Sequence, residues 1–261
     1  MKLDFISIVL VYRNTDDLKE FFANYALPNS KVVVVNSFYD DESELVFSKI
    51  AEDNNADFIS VPNKGYGAGN NKGVEYALKN YDFKYLIVSN ADIIIKDLNL
   101  SRVQQYGDMI IAPEIRNANG KRQNPSVPFT PSRMKEHMHY WIVKGKHYKI
   151  IWFLFIWSRL NKIFYYVICK WKKTIFSAHG AFVIFPKEVL TRLVPLYNER
   201  MFLFNEEEHL GRLAASKGIK TCYAEDIKIY HKEDGSMKVA NVNQMEQIGK
   251  SYLVYYDRWI K

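Results

Sequence analysis

Apolar positions in the first half of the chain fall into short unbroken runs, separated by stretches in which they recur every three or four residues. The runs are Phe5 to Val11, Lys31 to Val35, Asp57 to Val61, Tyr85 to Ser89 and Met109 to Ala112. Continuous β-branched runs of this length suit parallel strands covered on both faces. Leu18, Phe21, Phe22 and Tyr25 stand at i, i+3, i+4 and i+7, behind Thr15 as a helix cap and with Asp16 and Asp17 in the first turn. Val74, Ala77, Leu78 and Tyr81 repeat that spacing behind a glycine-rich loop. The alternation predicts an α/β sheet with right-handed crossovers, whose ligands gather beyond the carboxyl ends of the strands.

From Pro125 the pattern changes. Pro125, Pro128 and Pro131 mark a break, and a basic, aromatic segment follows to Lys173. Its centre is two apolar blocks, Ile150 to Trp157 and Ile163 to Ile168, joined by Ser158-Arg159-Leu160-Asn161-Lys162 and flanked by Lys144, Lys146, Lys149, Lys170, Lys172 and Lys173. Two readings stand: a pair of core helices, or an interfacial hairpin lying in a membrane surface. Arg159 and Lys162 argue against a true span. Ala181 to Phe185 resumes a strand, Pro186 suits the start of a helix, Glu206 to Lys217 reads as helix, and Thr221 to Ala224 and Ile227 to Tyr230 as short strands. Met245, Ile248, Tyr252, Tyr255 and Trp259 form a helical stripe that docks on its own core, a dimer contact being the alternative. The expected division is a catalytic domain over 1–236, with a helical insertion at about 130–175, and a helical extension over 237–261.

At 261 residues the chain can bury one large core. Its formal charge of +7 points to an anionic partner. Nucleic acid is not expected, because the lysines concentrate with aromatics in the insertion. Cys169 and Cys222 lie far apart without metal-ligand spacing, which suits a reducing compartment. The first apolar run is too short for a signal peptide, and no window reaches the length of a transmembrane helix.

Candidate chemistry concentrates in three places. Asn63 through Gly73 places Gly65, Gly67 and Gly69 before a helix, where backbone can approach a ligand closely and helix amides can face an anion. Both registers miss the third glycine of a dinucleotide fingerprint, and no P-loop is present. Asp92 closes a strand, where one such acid, together with substrate phosphates, can hold Mg²⁺ or Mn²⁺; a turn or cap residue is the alternative. Glu206-Glu207-Glu208 follows an aromatic run. With Asn205 as cap, Glu208 completes a capping-box pattern, while a general base needs a carboxylate presented from an apolar wall. His231, after an apolar strand, is either a surface histidine or a metal ligand.

Taken in order, these segments resemble an inverting glycosyltransferase of family 2, with the GT-A fold: a mixed, mostly parallel sheet flanked by helices. The residues that carry the resemblance are Val11-Tyr12-Arg13-Asn14, the loop from Asn36 to Ser43, Asn63 through Gly73, Asn90-Ala91-Asp92, His179-Gly180-Ala181, Phe202 to Leu210, and His231 with Ser236. It covers most of the chain and is weakest over about 130–175 and after 237. The resemblance implies donor contacts from Val11, Tyr12, Asn14, Asn36, Asn63, Gly65, Tyr66, Gly69, Asn70, Asn71, Asn90 and Ala91. It implies acceptor contacts from His179 and Gly180, a metal held by Asp92 and His231, and Glu207 as catalytic base with Glu206 as the competing assignment. Asn36 stands where the family has an aspartate that contacts the base, and Glu207 where it has the catalytic aspartate.

The implied activity is a metal-dependent hexosyltransferase using Mn²⁺ or Mg²⁺. It would move a sugar from a UDP- or dTDP-sugar, in preference to a GDP-sugar, onto a polyprenyl-diphosphate-linked glycan. The setting implied is bacterial capsule or cell-wall polysaccharide synthesis, with the protein peripheral on the cytoplasmic face of the membrane. Two rivals remain: a nucleotidyltransferase, which would need a lysine-rich triphosphate signature that Tyr12-Arg13-Asn14 does not supply, and a non-catalytic, membrane-docked scaffold.

Overall fold

The computed structural model describes residues 2–169, 171, 173–233 and 244–261. Lys170, Lys172, Ser236 and the expected boundary at 236/237 lie outside the described residues. The chain alternates β1 (Leu3–Val11), α1 (Thr15–Asn24), β2 (Ser30–Ser37), α2 (Asp41–Asp53), β3 (Asp57–Val61), α3 (Tyr66–Asn80) and β4 (Phe83–Asn90). It continues through β5 (Ile93–Asp97), α4 (Leu100–Gln104), β6 (Ile110–Asn117), α5 (Arg133–Lys144), α6 (Trp152–Ile168), β7 (Thr174–Ile175) and β8 (Phe182–Pro186). Last come α7 (Lys187–Leu193), α8 (Glu206–Ser216), β9 (Thr221–His231) and α9 (Gln244–Trp259).

One sheet runs in the order β3-β2-β1-β4-β8-β6-β9-β5, with β7 paired to β9. The first four of these strands are mutually parallel, whereas β8 enters antiparallel between β4 and β6. Side chains alternate across the pleat. Val33 and Val35 therefore pack towards α3, while Val32 and Val34 meet Leu18 of α1 and Phe47 of α2. Both faces are covered, which is why these strands read as unbroken apolar runs.

Several expectations are corrected. The α1 cap is Asn14, whose side chain accepts from Asp16 N, and Thr15 is the first helical residue. The two short strands near the C-terminus are one strand, β9, whose register against β6 shifts between Pro113 and Glu114; a bulge of this kind absorbs extra residues without ending the strand. The apolar centre of the insertion, 150–168, is neither a helix pair nor a hairpin. Ser158 through Lys162 continue as helix, so α6 is a single 17-residue element. Nor is it core, because only Leu154 and Tyr165 within it are buried. The α9 stripe docks within the chain, where Tyr252, Tyr255 and Tyr256 pack with Val143 and Met201 in a cluster beside the sheet.

Candidate active site

The carboxyl ends of β1, β2 and β4 lie abreast: Leu10 is paired with Asn90, and Val11 with Asn36. Because β8 runs the other way, its start reaches the same edge, and Asn90 N donates to Ala181 O at 2.9 Å. The end of β9 arrives there too, His231 pairing with Ile93 and with Asn117. Sequence-distant residues 92, 179–180 and 231 thereby become neighbours.

Asp92 and His231 are both buried, with Oδ2 and Nε2 3.2 Å apart. His231 Nδ1 is 2.8 Å from Gln123 Oε1, and the same amide donates through Nε2 to Glu233 Oε1 at 2.6 Å. The carboxylate of Glu233 fixes which way the amide faces, so His231 Nδ1 donates to Gln123 and Nε2 is turned towards Asp92. A carboxylate and an imidazole nitrogen aimed at one another are a fitting pair of ligands for a divalent cation that completes its shell with phosphate oxygens and water. Among the described residues, no group of three His, Cys, Asp or Glu side chains converges to hold a metal alone.

His179 lies beside this pair, its ring 5.8 Å from that of His231. Ala181 N donates to His179 Nδ1 at 3.2 Å, and burial lowers the pKa of His179. Both favour a neutral ring with the proton on Nε2. Beyond it stands Glu207 at the start of α8. Its Oε1 accepts from Gly180 N at 2.7 Å and its Oε2 from the Ser126 hydroxyl. Tyr66 Oη donates to Gly180 O at 2.8 Å, which places Tyr66 on the His179–Gly180 side of the cleft. A Cβ added at Gly180 would come 3.7 Å from Glu207 Oε1 and from Tyr66 Oη, an ordinary van der Waals contact with both.

Glu206 differs in every respect. It is 7% exposed, its Oε1 has no hydrogen-bond partner among the described residues, and burial pushes its pKa up to about 8. The capping box expected of Asn205 and Glu208 does not form. Asn205 takes a left-handed conformation, φ 66°, and makes no side-chain cap. That turn, shared with Phe204 at φ 73°, separates Glu206, facing inward, from Glu207, facing the cleft.

The glycine segment is also corrected. Only Asn63 to Gly65 form a loop, in which Asn63 Oδ1 accepts from Gly65 N at 3.3 Å and Gly65 has φ +102°. Gly67, Gly69 and Gly73 lie inside α3. They bring the helix close to its neighbours: an added Cβ would meet Tyr197 Cβ at 2.7 Å, Leu10 Cδ1 at 2.5 Å and Ile8 Cγ2 at 2.3 Å, respectively. The first amide of the helix is occupied, Tyr66 N donating to Phe202 O at 2.9 Å.

Of the asparagines expected on the donor side, Asn71 is spent on structure, donating to Tyr197 O and accepting from Tyr197 N. Asn14 is spent on the α1 cap. Asn36 and Asn70 are fully buried and donate to Ser60 Oγ and Tyr66 O, and each leaves its Oδ1 without a partner among the described residues. Val11 is buried at the strand end, and Ala91 is nearly so. Tyr12 packs edge-on against Tyr39, over which the Arg13 guanidinium lies at 4.0 Å. Sequence reasoning missed Gln123, Asn124 and Ser126. They flank Pro125 in one short polar run, and Asn124 Oδ1 accepts from His179 N at 2.7 Å.

No protein-family model matches the chain. It is 24% identical over 261 residues to the low-salt glycan biosynthesis hexosyltransferase Agl10 of Haloferax volcanii, an alignment covering 98% of this chain and 73% of that protein. Among solved structures, S. aureus TarS superposes with a TM-score of 0.56 at 12% identity, covering 97% of this chain and 43% of its own. The mannosyltransferase PcManGT of Pyrobaculum calidifontis, in complex with GDP-Man and Mn²⁺, gives 0.55 at 13%, covering 100% of this chain and 72% of its own. GalNAc-T7 with UDP, GalNAc and Mn²⁺ gives 0.54 at 13%, covering 88% and 44%. The chain thus spans less than half the length of TarS and of GalNAc-T7. A central sheet that gathers its polar residues at one edge, and solved neighbours that match nearly the whole chain, identify the GT-A glycosyltransferase fold.

Proposed function

We propose that the protein is an inverting, metal-dependent glycosyltransferase that moves a hexose from a nucleotide-diphosphate donor to a hydroxyl of a glycan acceptor. The observation that carries this is Glu207, a carboxylate oriented by Gly180 and Ser126 and separated from the Asp92–His231 pair only by His179. A base on one side and a diphosphate anchor on the other is the arrangement that single displacement needs.

Asp92 and His231 would hold Mn²⁺ or Mg²⁺, which supplies charge neutralisation for the leaving diphosphate. Glu207 accepts the acceptor's hydroxyl proton as that oxygen bonds to the anomeric carbon. The bond from that carbon to the diphosphate oxygen breaks, and its electron pair leaves with the nucleotide. Neutral His179 and the Gly180 backbone border the acceptor and position it. Glu206 is unsuited to the role, because with its pKa raised to about 8 it keeps its proton at neutral pH. Asn36, with its Oδ1 unpartnered among the described residues, stands beside Val11 at the strand ends, and the neighbours' UDP and GDP-Man complexes support a nucleotide-sugar donor. We assign a UDP- or dTDP-sugar as donor and a polyprenyl-diphosphate-linked glycan in cell-surface polysaccharide assembly as acceptor.

The test pairs binding with turnover. UDP, dTDP, GDP and CDP are screened by thermal shift with and without Mn²⁺, and release of the nucleoside diphosphate is then followed with the sugar donor. One nucleotide should raise the Tm in a metal-dependent way, since a ligand of the folded state stabilises by mass action. Glu207→Gln should keep that shift and lose turnover by about 10²-fold or more. Unchanged turnover in Glu207→Gln would remove Glu207 from the base role.

A further inference from the structure

Helix α6 is amphipathic the wrong way round. A surface helix normally turns its apolar stripe to the core. Here Phe153, Ile156, Leu160, Ile163, Phe164 and Val167, spaced three and four apart, face solvent and are 43–71% exposed. The polar residues Ser158, Asn161 and Lys162 lie on the more covered side. The helix is pinned to the body by Leu154, which packs with Ile142 and Ile151, and by Tyr165, which reaches the main core. Trp141 on α5 and Trp171 just past the end of α6 are likewise exposed, at 67% and 75%. An exposed apolar surface of this extent marks a partner.

Charge identifies the partner. Between Glu136 and Glu188 the chain has nine Lys and Arg and no acidic residue, which exceeds the whole net charge of +7 and leaves the rest of the chain net acidic. A second copy docking through this face would bring the same unneutralised charge against itself. An anionic bilayer offers both missing complements, hydrocarbon for the stripe and phosphate for the lysines. No helix among the described residues is long and apolar enough to cross a membrane, so α6 lies in the plane.

We infer that α6 is an in-plane anchor for an anionic lipid surface, and that it sets the acceptor side of the cleft at that surface. The link to the cleft is short. Tyr166 Oη donates to the Asn124 carbonyl, Asn124 Oδ1 accepts from His179 N, and Lys162 lies within electrostatic reach of Glu207. Docking therefore presents Glu207 to a hydroxyl carried near the headgroups. This last step rests on the transferase reading above, whereas the docking itself does not.

The experiment is co-sedimentation of the full chain with phosphatidylcholine vesicles, with and without phosphatidylglycerol, for wild type and for Leu160→Glu/Val167→Glu. Both positions are solvent-facing, so the variant should keep the wild-type Tm. Wild type should partition onto both, and more strongly onto the anionic vesicles than onto the neutral ones. The variant should partition about 100-fold less, since two apolar side chains leave the interface. Equal partitioning of the variant, or no partitioning of wild type, overturns the anchor. So does a wild-type dimer in light scattering that the variant converts to monomer, because the face would then belong to a second copy. None of these results depends on whether a nucleotide binds, so failure of the anchor and failure of the transferase reading are separately visible.

Discussion

Glu206 and Glu207 are adjacent and chemically identical but oppositely placed, because a left-handed turn at Phe204 and Asn205 sends one inward and one to the cleft. A buried carboxyl with one oxygen left without a hydrogen bond among the described residues is tolerated best when neutral. That makes Glu206 a proton-linked element of stability. Its pKa rises from the ordinary 4.5 to about 8 on folding, so between those values the folded state holds a proton that the unfolded state has released. Stability therefore falls as pH rises through that window. Glu206→Gln removes the linkage. In urea titrations across pH, wild type should lose stability relative to the variant, at up to about 1.4 kcal/mol per pH unit within the window, and run parallel below it. Parallel curves throughout would mean that Glu206 is ionised in the folded protein. At this scale the sequence showed that acids follow an aromatic run, and it left Glu206 and Glu207 as rivals. What separates them is backbone handedness at two non-glycine residues, which composition and spacing do not encode. Gln123 and Ser126 were missed for a related reason: a hydrogen bond across 108 residues, or across 81, leaves no local pattern.

At the scale of elements, β1 to β4, β6 and β8 were legible because buried strands write themselves as unbroken apolar runs, whereas the short β5 and β7 were not read. The single-helix nature of α6 was not, because Ser158 to Lys162 looks like a polar break although each of its residues is compatible with a helix. The glycines were visible but misplaced. Their spacing suggests a ligand-cradling loop, and their real constraint is the approach of α3 to β1 and β2. Gly73 is the sharpest case. Helix propensity favours alanine there by about 1 kcal/mol, yet its Cβ would lie 2.3 Å from Ile8 Cγ2 and 2.8 Å from Val35 Cγ2. Both neighbours are β-branched, fully buried and stiff at χ1. Overpacking should win, so Gly73→Ala should destabilise by about 1–3 kcal/mol in urea denaturation. Stabilisation instead would show that α3 can shift away from the sheet. Gly107, with nothing within 4 Å of its added Cβ, is not constrained in that way.

At the scale of the whole molecule, the decisive feature is the segregation of charge and apolar surface. Composition gave a charge of +7 and an aromatic share of 15%, without saying that both collect on one helix and its flanks. The fold places that helix against the polar run bordering His179, so the proposed anchor and the proposed base Glu207 are joined through Tyr166, Asn124 and His179. The two components of docking should respond differently to salt. Attraction between Lys144, Lys146, Lys149 and anionic headgroups is worth about 1 kcal/mol per cation near the surface and is screened as the Debye length shrinks from about 10 Å at 0.1 M to about 3 Å at 1 M. Insertion of the stripe is not screened. Partitioning of wild type onto phosphatidylglycerol-containing vesicles should therefore fall over that range to a plateau close to its partitioning onto neutral vesicles. Replacing the three lysines by Gln should flatten the salt response and leave the plateau, while Leu160→Glu/Val167→Glu should remove the plateau. If partitioning is indifferent to salt, the lysines take no part. If it vanishes at high salt in wild type, the aromatic stripe does not enter the bilayer, and charge alone holds the protein there.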